Sequence, residues 1–207
     1  MRLRAWDLKI ERGGRRVISR LSFEATAGLG LIVTGPNGAG KTSLLRALAG
    51  FLSIEAGGFA LDGGDNERTV GEQAHYLGHA DGVKVALTAG ENLAFAAAML
   101  GGDSSRPAQL AALTALGLSH VIDFPARLLS AGQRRRVALA RLLVAERPVW
   151  LLDEPTTALD ASAQTALADI MRAHLKGGGI LVAAVHGPLG LDGAQELRLG
   201  AATEAAA

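Results

Sequence analysis

Apolar positions along the chain follow two patterns. Val17, Leu21, Phe23 and Ala25 fall on odd positions with Arg16, Arg20, Ser22 and Glu24 between them, the period-two alternation of a half-buried strand. Leu29 to Thr34, Ala74 to Gly78, Val149 to Leu152 and Ile180 to Val185 are instead short continuous runs bounded by polar or turn residues. Runs of that kind suit strands buried on both faces of a parallel sheet. Helical patterns lie between them. Leu44, Leu45 and Leu48 share one face after Lys41 and stop at Gly50. Thr88 with Glu91 reads as a capping box ahead of Asn92 to Leu100, and Ser130 with Gln133 as another ahead of a helix to about Glu146. Asp160 can cap a last helix, with Leu167, Ile170, Met171 and Leu175 as its apolar face and Gly177 to Gly179 as its end.

Strands alternating with helices give an α/β domain with a mostly parallel core sheet. Leu87 to Arg147 is mainly helical and reads as a subdomain. The predicted organisation is one domain over 1–207, with a core of 1–86 and 148–200 and a helical part over about 87–147. No fixed-period repeat or Pro/Ser-rich linker interrupts it. The alanine-rich tail, Ala201 to Ala207, is expected to fray.

Composition narrows the partners. The 207 residues carry 21 Lys plus Arg against 20 Asp plus Glu, so a net charge of +1 argues against nucleic-acid binding through an overall basic field. The absence of cysteine excludes disulfides, cysteine-held zinc, iron–sulfur clusters and a catalytic thiol. Asp7 and Glu11 interrupt the place where a secretory signal would put its apolar run, so the chain is expected to stay in the cytosol. Pro107 to Ile122, the longest uncharged stretch, contains Gln109, Thr114, Ser119 and His120 and is too short and too polar for a transmembrane helix. Two oddities remain: 27 glycines, about twice the ~7% average, and a mean hydropathy of +0.24.

Some of those glycines have a chemical reading. After the run ending at Thr34 comes Gly35-Pro36-Asn37-Gly38-Ala39-Gly40-Lys41-Thr42-Ser43, a full match to G-x-x-x-x-G-K-[ST] with a strand before it and a helix after it. Gly35, Gly38 and Gly40 let backbone N–H groups curl around phosphates, Lys41 neutralises the β- and γ-phosphates, and the Thr42 hydroxyl suits magnesium. Nucleotide binding is the reading. Val149-Trp150-Leu151-Leu152-Asp153-Glu154 is an apolar strand ending in two acids, and strand ends are where ligands sit in open α/β sheets. Asp153 is a candidate magnesium ligand and Glu154 a candidate general base for the water that attacks the γ-phosphate. Taken without the loop, both acids read equally well as solvated carboxylates ahead of Pro155.

Leu129-Ser130-Ala131-Gly132-Gln133, about twenty residues before the acidic strand, resembles the Leu-Ser-Gly-Gly-Gln signature of the ATP-binding-cassette ATPases. The order phosphate loop, signature, acidic strand supports the resemblance, although Ser130 and Gln133 alone would also describe an ordinary capped helix. The resemblance covers nearly the whole chain. It implies a P-loop fold of that type with an additional antiparallel β part, MgATP as substrate complex, and a head-to-tail dimer with a second copy of the chain in which each signature closes on the partner's ATP. By the same likeness Thr157-Ala158-Leu159-Asp160 corresponds to the D-loop, with Asp160 at the dimer interface. His186, after the run ending at Val185, corresponds to the switch histidine that reads the γ-phosphate.

Two positions depart from the pattern. The glutamine that normally links magnesium to the membrane subunits is replaced by His79 in Tyr76-Leu77-Gly78-His79, with Gln73, ahead of the strand, as the alternative. The aromatic platform for adenine is missing near Arg12-Gly13-Gly14, where the Arg12 guanidinium is the available substitute.

Tyr76 to His79, Gly82-Val83-Lys84, Leu87-Thr88, Glu91-Asn92-Leu93 and the stretch from Leu129 to Leu142 look most like the haem-exporter ATPases of cytochrome c maturation. That likeness implies integral membrane permease partners of CcmB/CcmC type, a place on the cytoplasmic face of the inner membrane, and ATP hydrolysis coupled to delivery of haem to a periplasmic chaperone. Nothing in the chain itself reads haem. A soluble cassette acting as a nucleotide-switched module, or another small exporter ATPase, is the competing expectation. Arg134-Arg135-Arg136 is a short basic run better explained by a solvated or ATP-proximal face than by nucleic acid. Gly82 to Leu93, with Val83, Val85 and Leu87, is a candidate contact for a membrane subunit and equally a candidate for core packing.

Overall fold

A computed structural model describes residues 1–200; the tail beginning at Ala201 lies outside them. Two compact units make up the chain. One contains Met1–Gly78, Pro148–Glu154 and the described residues from Arg172 to 200, and the other contains His79–Arg147 and Pro155–Met171.

The first unit carries both sheets. β3 (Gly30–Thr34), β5 (Ala74–Leu77), β6 (Val149–Asp153), β7 (Ile180–Ala184) and β8 (Gln195–Arg198) form an all-parallel sheet in the order β5-β6-β7-β3-β8. Three of the four continuous apolar runs are its inner strands β6, β7 and β3, and the fourth is the edge strand β5; every residue of β6 and β7 is buried. β8 was not foreshadowed, because an edge strand with an exposed Gln-Glu-x-Arg pattern lacks apolar alternation. α1 (Lys41–Leu48) packs Leu44, Leu45 and Leu48 into the core with Leu31, Val33, Val149, Leu151 and Val182.

β1 (Arg2–Arg12), β2 (Arg15–Thr26) and β4 (Ala56–Asp62) form the antiparallel sheet, in the order β2-β1-β4. The alternation expected in β2 holds at Leu21, Phe23 and Ala25, then shifts at Arg20, whose φ is 67°, and Ile18 becomes the buried residue upstream. β1 has a matching irregularity. Leu3 and Ala5 point inward, an extra residue is absorbed at Trp6-Asp7, and Leu8 and Ile10 point inward again. Asp7 has a φ of 46°, its N–H donates to Ser22 Oγ at 2.9 Å, and its carboxylate lies 3.5 Å from Arg20 Nε. This bulge hid β1 from period-two reading. Glycines of β4 fit against it: a Cβ on Gly57, at φ 81°, would meet the Trp6 carbonyl oxygen at 2.3 Å.

The second unit is helical. α2 (Ala89–Leu100) begins with the expected reciprocal box between Thr88 and Glu91, and α3 (Arg106–Thr114) is capped by Ser105. α4 (Ala131–Ala140) is shorter than predicted. The helix stops where Arg141–Leu143 tightens into a 3-10 turn, well before Glu146. Leu93, Leu113, Leu118, Val137 and Leu139 are buried to 1% exposure or less.

α5 (Ala161–Lys176) begins in the second unit and ends in the first. Its buried face is Ala163, Leu167, Ala168, Met171 and Leu175, with Ile170 only half-buried. Gly178, at φ 84°, closes it as predicted. Near that end His174 stacks on Trp150 of β6, with 3.9 Å between ring centroids and 8° between planes. No described helix is long and apolar enough to cross a membrane.

Candidate functional site

β3 leads into the phosphate loop. Gly35 has a φ of 140°, and a Cβ there would sit 2.5 Å from the Leu199 carbonyl oxygen, so only glycine fits. Gly40, at φ 101°, is the N-cap of α1 and offers no side chain to it. The first-turn N–H groups of α1 are thereby left to a bound anion. Lys41 is buried, and its ammonium donates to the carbonyls of Gly35 at 2.7 Å and Pro36 at 3.3 Å, folding back over the loop. A cavity of about 260 Å³ opens here. Asn37, Gly38, Ala39, Gly40, Lys41, Thr42, Ser43, Arg12, Val17, Glu154 and His186 line it.

The acids arrive on β6. Asp153 closes that strand with 3% exposure, and Glu154 follows with its N–H donating to the Ala184 carbonyl at 2.8 Å. Glu154 has a φ of 49°, in the left-handed region where non-glycine residues are strained. Its carboxylate lies 3.2 Å from His186 Nε2. β7 delivers that histidine, since Val185 and His186 directly follow its last residue. Among the described residues no three His, Cys, Asp or Glu side chains converge into a metal cage. Thr42 lines the cavity with its hydroxyl, and the buried Asp153 carboxylate, one residue before Glu154 but outside the cavity's lining, is a second hard oxygen donor of the kind magnesium uses together with phosphate oxygens. Tyr76 on β5 is half-buried, and its hydroxyl pKa is raised by burial and then by the negative charge of Asp153.

In the helical unit, the Leu129-Ser130-Ala131-Gly132-Gln133 segment turns into α4. Ser130 Oγ accepts from the Gln133 N–H at 3.2 Å, and Gln133 Oε1 accepts from the Ser130 N–H at 2.9 Å. Gly132 is fixed by an approach from elsewhere: a Cβ would come within 2.8 Å of the Ala158 carbonyl oxygen. The expected D-loop segment therefore packs on the signature within one unit. Asp160 accepts from the Ala163 N–H at 2.8 Å and the Ser162 hydroxyl at 2.7 Å. Those bonds, with a smaller contribution from Arg136, hold its carboxyl below the usual range.

Each of the three consecutive arginines has an internal task. Arg134 donates to the Leu129 carbonyl, Arg135 forms a buried ion pair with Asp81 at 3.1 Å, and Arg136 donates to the Leu116 carbonyl at 3.3 Å. The run is structural. Gln73 is buried and belongs to a loop staple: its amide donates to the carbonyls of Asp65 and Arg68 and accepts from the Asp65 N–H. His79 is exposed at the start of the helical unit. Asn92, part of the Glu91-Asn92-Leu93 likeness, has a structural role that the sequence reading did not assign. Buried on α2, it binds the Lys84 N–H and the carbonyls of Lys84 and Thr88, tying down the segment from Gly82. A polar residue on the inward face of a helix was the signal available for it.

A family model described as ABC transporter matches residues 18–157. The chain is 57% identical over 202 residues to the cytochrome c biogenesis ATP-binding export protein CcmA of Nitrobacter winogradskyi, covering 98% of this chain and 100% of that one. It is 54% identical over 196 residues to the protein of the same name from Rhodopseudomonas palustris, covering 94% and 96%. In structure it is similar to an ATP-binding cassette captured as a post-hydrolysis dimer with ADP and phosphate, at a TM-score of 0.82 over 95% of this chain and 94% of that one; at 21% identity this likeness is one of fold.

Proposed function

The chain belongs to the ABC transporter ATP-binding family, and on that premise we propose that it is the ATP-hydrolysing subunit of a haem exporter serving cytochrome c biogenesis. The observation that carries the ATPase reading is one cavity lined by the phosphate loop, Glu154 and His186. Relatives matching the chain over nearly their whole length carry an export-protein name, which favours a transport role over a soluble switch module.

In the proposed mechanism, loop N–H groups and Lys41 bind the triphosphate, with the ammonium exchanging its carbonyl partners for phosphate oxygens. Thr42 and Asp153 would hold Mg²⁺, which when bound neutralises phosphate charge. Glu154 orients a water and takes its proton as the water oxygen bonds to the γ-phosphorus and the bond to the bridging oxygen breaks. His186 steadies the Glu154 carboxylate and donates toward the γ-phosphate. The signature from Leu129 to Gln133, opened by the helix N-terminus of α4, serves the nucleotide of a second copy, with Asp160 at the junction between them. His79 is the proposed relay toward the membrane subunits.

These subunits are proposed to be CcmB/CcmC-like permeases, which would hold the ATPase at the cytoplasmic face of the inner membrane. The exposed apolar side chains of Val85, Met99 and Leu128 are consistent with a chain that does not work alone. The test is a mild-detergent pull-down of the tagged chain, with identification of co-purified membrane proteins and an absorption spectrum. Permeases of the cytochrome c pathway with a haem Soret band are expected. A colourless complex with unrelated permeases would overturn the haem assignment and leave the ATPase standing.

A further inference from the structure

Arg135 is a buried charge that the proposed chemistry does not use. It lies in α4 two residues after Gln133, at 3% exposure, and its Nη1 is 3.1 Å from Oδ1 of Asp81, which is 27% exposed and follows His79 by two residues. The pair joins the segment that opens the helical unit to the helix that the signature opens. Such a pair is a poor device for stability alone. Well-packed apolar side chains of the same volume hold a fold as well or better, because desolvation of two charges offsets most of their attraction. What a guanidinium and a carboxylate do supply is one geometry, since they bond along fixed directions.

The surrounding contacts show what that geometry controls. Arg141, just after α4, donates to the Gly82 carbonyl at 3.5 Å, and a Cβ on Gly82, at φ 64°, would come within 3.1 Å of its Nη1. Upstream of the signature, the N–H groups of Ala126 and Arg127 donate to the carbonyls of Leu87 and Val85 at 2.8 and 3.0 Å. The segment 81–87 therefore grips the chain on both sides of Leu129 to Gln133. Main-chain bonds make the upstream grip. Side chains make the downstream one, which centres on the Asp81 carboxylate between two arginines. Burial pulls the Arg141 pKa down, Asp81 opposes this, and Arg135 adds to it. Removing the Asp81–Arg135 pair loosens the downstream grip and leaves the upstream one in place.

Resting on the reading that the signature serves a second copy's nucleotide, we propose that Arg135 is a positioning residue: through Asp81 it fixes the signature to the segment that begins at His79. It thereby sets how readily the chain closes on a partner and turns over, and not how tightly it binds its own ATP. The test compares the full-length wild type with the double variant Asp81→Leu/Arg135→Met, an apolar exchange that leaves no lone buried charge, in Mg²⁺ and ATP. The variant is expected to keep its urea midpoint and its ATP affinity as a monomer, while turnover and ATP-dependent dimerisation fall by roughly tenfold, within the range of couplings carried by a side-chain network. Asp81→Asn, which keeps the shape and a hydrogen-bond acceptor, should show the same split. Wild-type turnover in a folded double variant, or a loss of ATP affinity as large as the loss of turnover, would overturn the proposal. Failure of both variants to fold would also overturn it, since the pair would then serve stability alone. Ser130→Ala separates the two levels. If Ser130→Ala lowers ATP-dependent dimerisation and the double variant does not, only the positioning role fails; if neither does, the reading of the signature fails with it.

Discussion

His186 Nε2 lies 3.2 Å from Glu154 Oε1, and the glutamate is held in that relationship by a left-handed backbone with φ of 49°. The strain is countered by the bond from its N–H to the Ala184 carbonyl and by the buried strands on either side. A carboxylate positioned by its main chain and steadied by an imidazole is suited to orient one water.

Glu154→Gln should therefore keep nucleotide binding, slow hydrolysis by about 10²- to 10⁴-fold and accumulate ATP-bound dimers. Single-turnover phosphate release and size-exclusion chromatography in ATP check both effects. Undiminished turnover would falsify the role given to Glu154.

Lys41→Ala removes both the phosphate cation and, in the free protein, the ammonium that donates to the Gly35 and Pro36 carbonyls. ATP affinity should fall by at least about tenfold, the loss of one charge-assisted hydrogen bond. The thermal stabilisation normally produced by MgATP should shrink accordingly, and a full MgATP shift in the variant would contradict the assignment.

Ser130→Ala breaks the reciprocal bonds with Gln133 that open α4. Loss of an N-cap costs about 1 kcal/mol, visible as a lower urea midpoint. Because the signature is proposed to act on the partner's nucleotide, ATP-dependent dimerisation should fall more than ATP binding to the monomer. Equal losses in both would argue against head-to-tail use.

His174 gives the fold a pH dependence. Burial against Trp150 pulls the pKa of its imidazole down, and the bond with the Ile180 carbonyl only partly opposes this. The folded state then binds fewer protons than the unfolded chain, whose histidine titrates near ~6.5. The stabilisation is present above that value and lost as pH falls below it. His174→Phe keeps a stacked ring and removes the titration. Its urea midpoint should decline less than that of the wild type between pH about 7.5 and about 5.5, and parallel declines would exclude the effect.

The phosphate loop, the acidic strand and two capping boxes were legible in the sequence because each is a local grammar: fixed spacing, fixed flanks, and side chains that bond within three or four residues. The buried strands β6 and β7 were legible as uninterrupted apolar runs. β1 was not, because the extra residue at Trp6-Asp7 moves the inward set from Leu3 and Ala5 to Leu8 and Ile10. β4 was obscured by Gly57 and Gly58, which are present because Trp6 and its backbone leave no room for a side chain. The loop-holding roles of Gln73 and Asn92 were not legible either. Their amides hold loops whose shape exists only once the chain has folded.

The strand order also has a metric consequence. β6, β7 and β3 are consecutive in the sheet, and each delivers one working part at its end: Glu154, His186 and the phosphate loop. Parallel strands lie about 4.8 Å apart, so the sheet acts as a ruler that sets the working parts one strand width from the next. A residue inserted in a surface loop leaves that ruler intact. A residue inserted within β7 shifts its register by one and turns every following side chain to the opposite face, so His186 would leave Glu154 while the strand still paired.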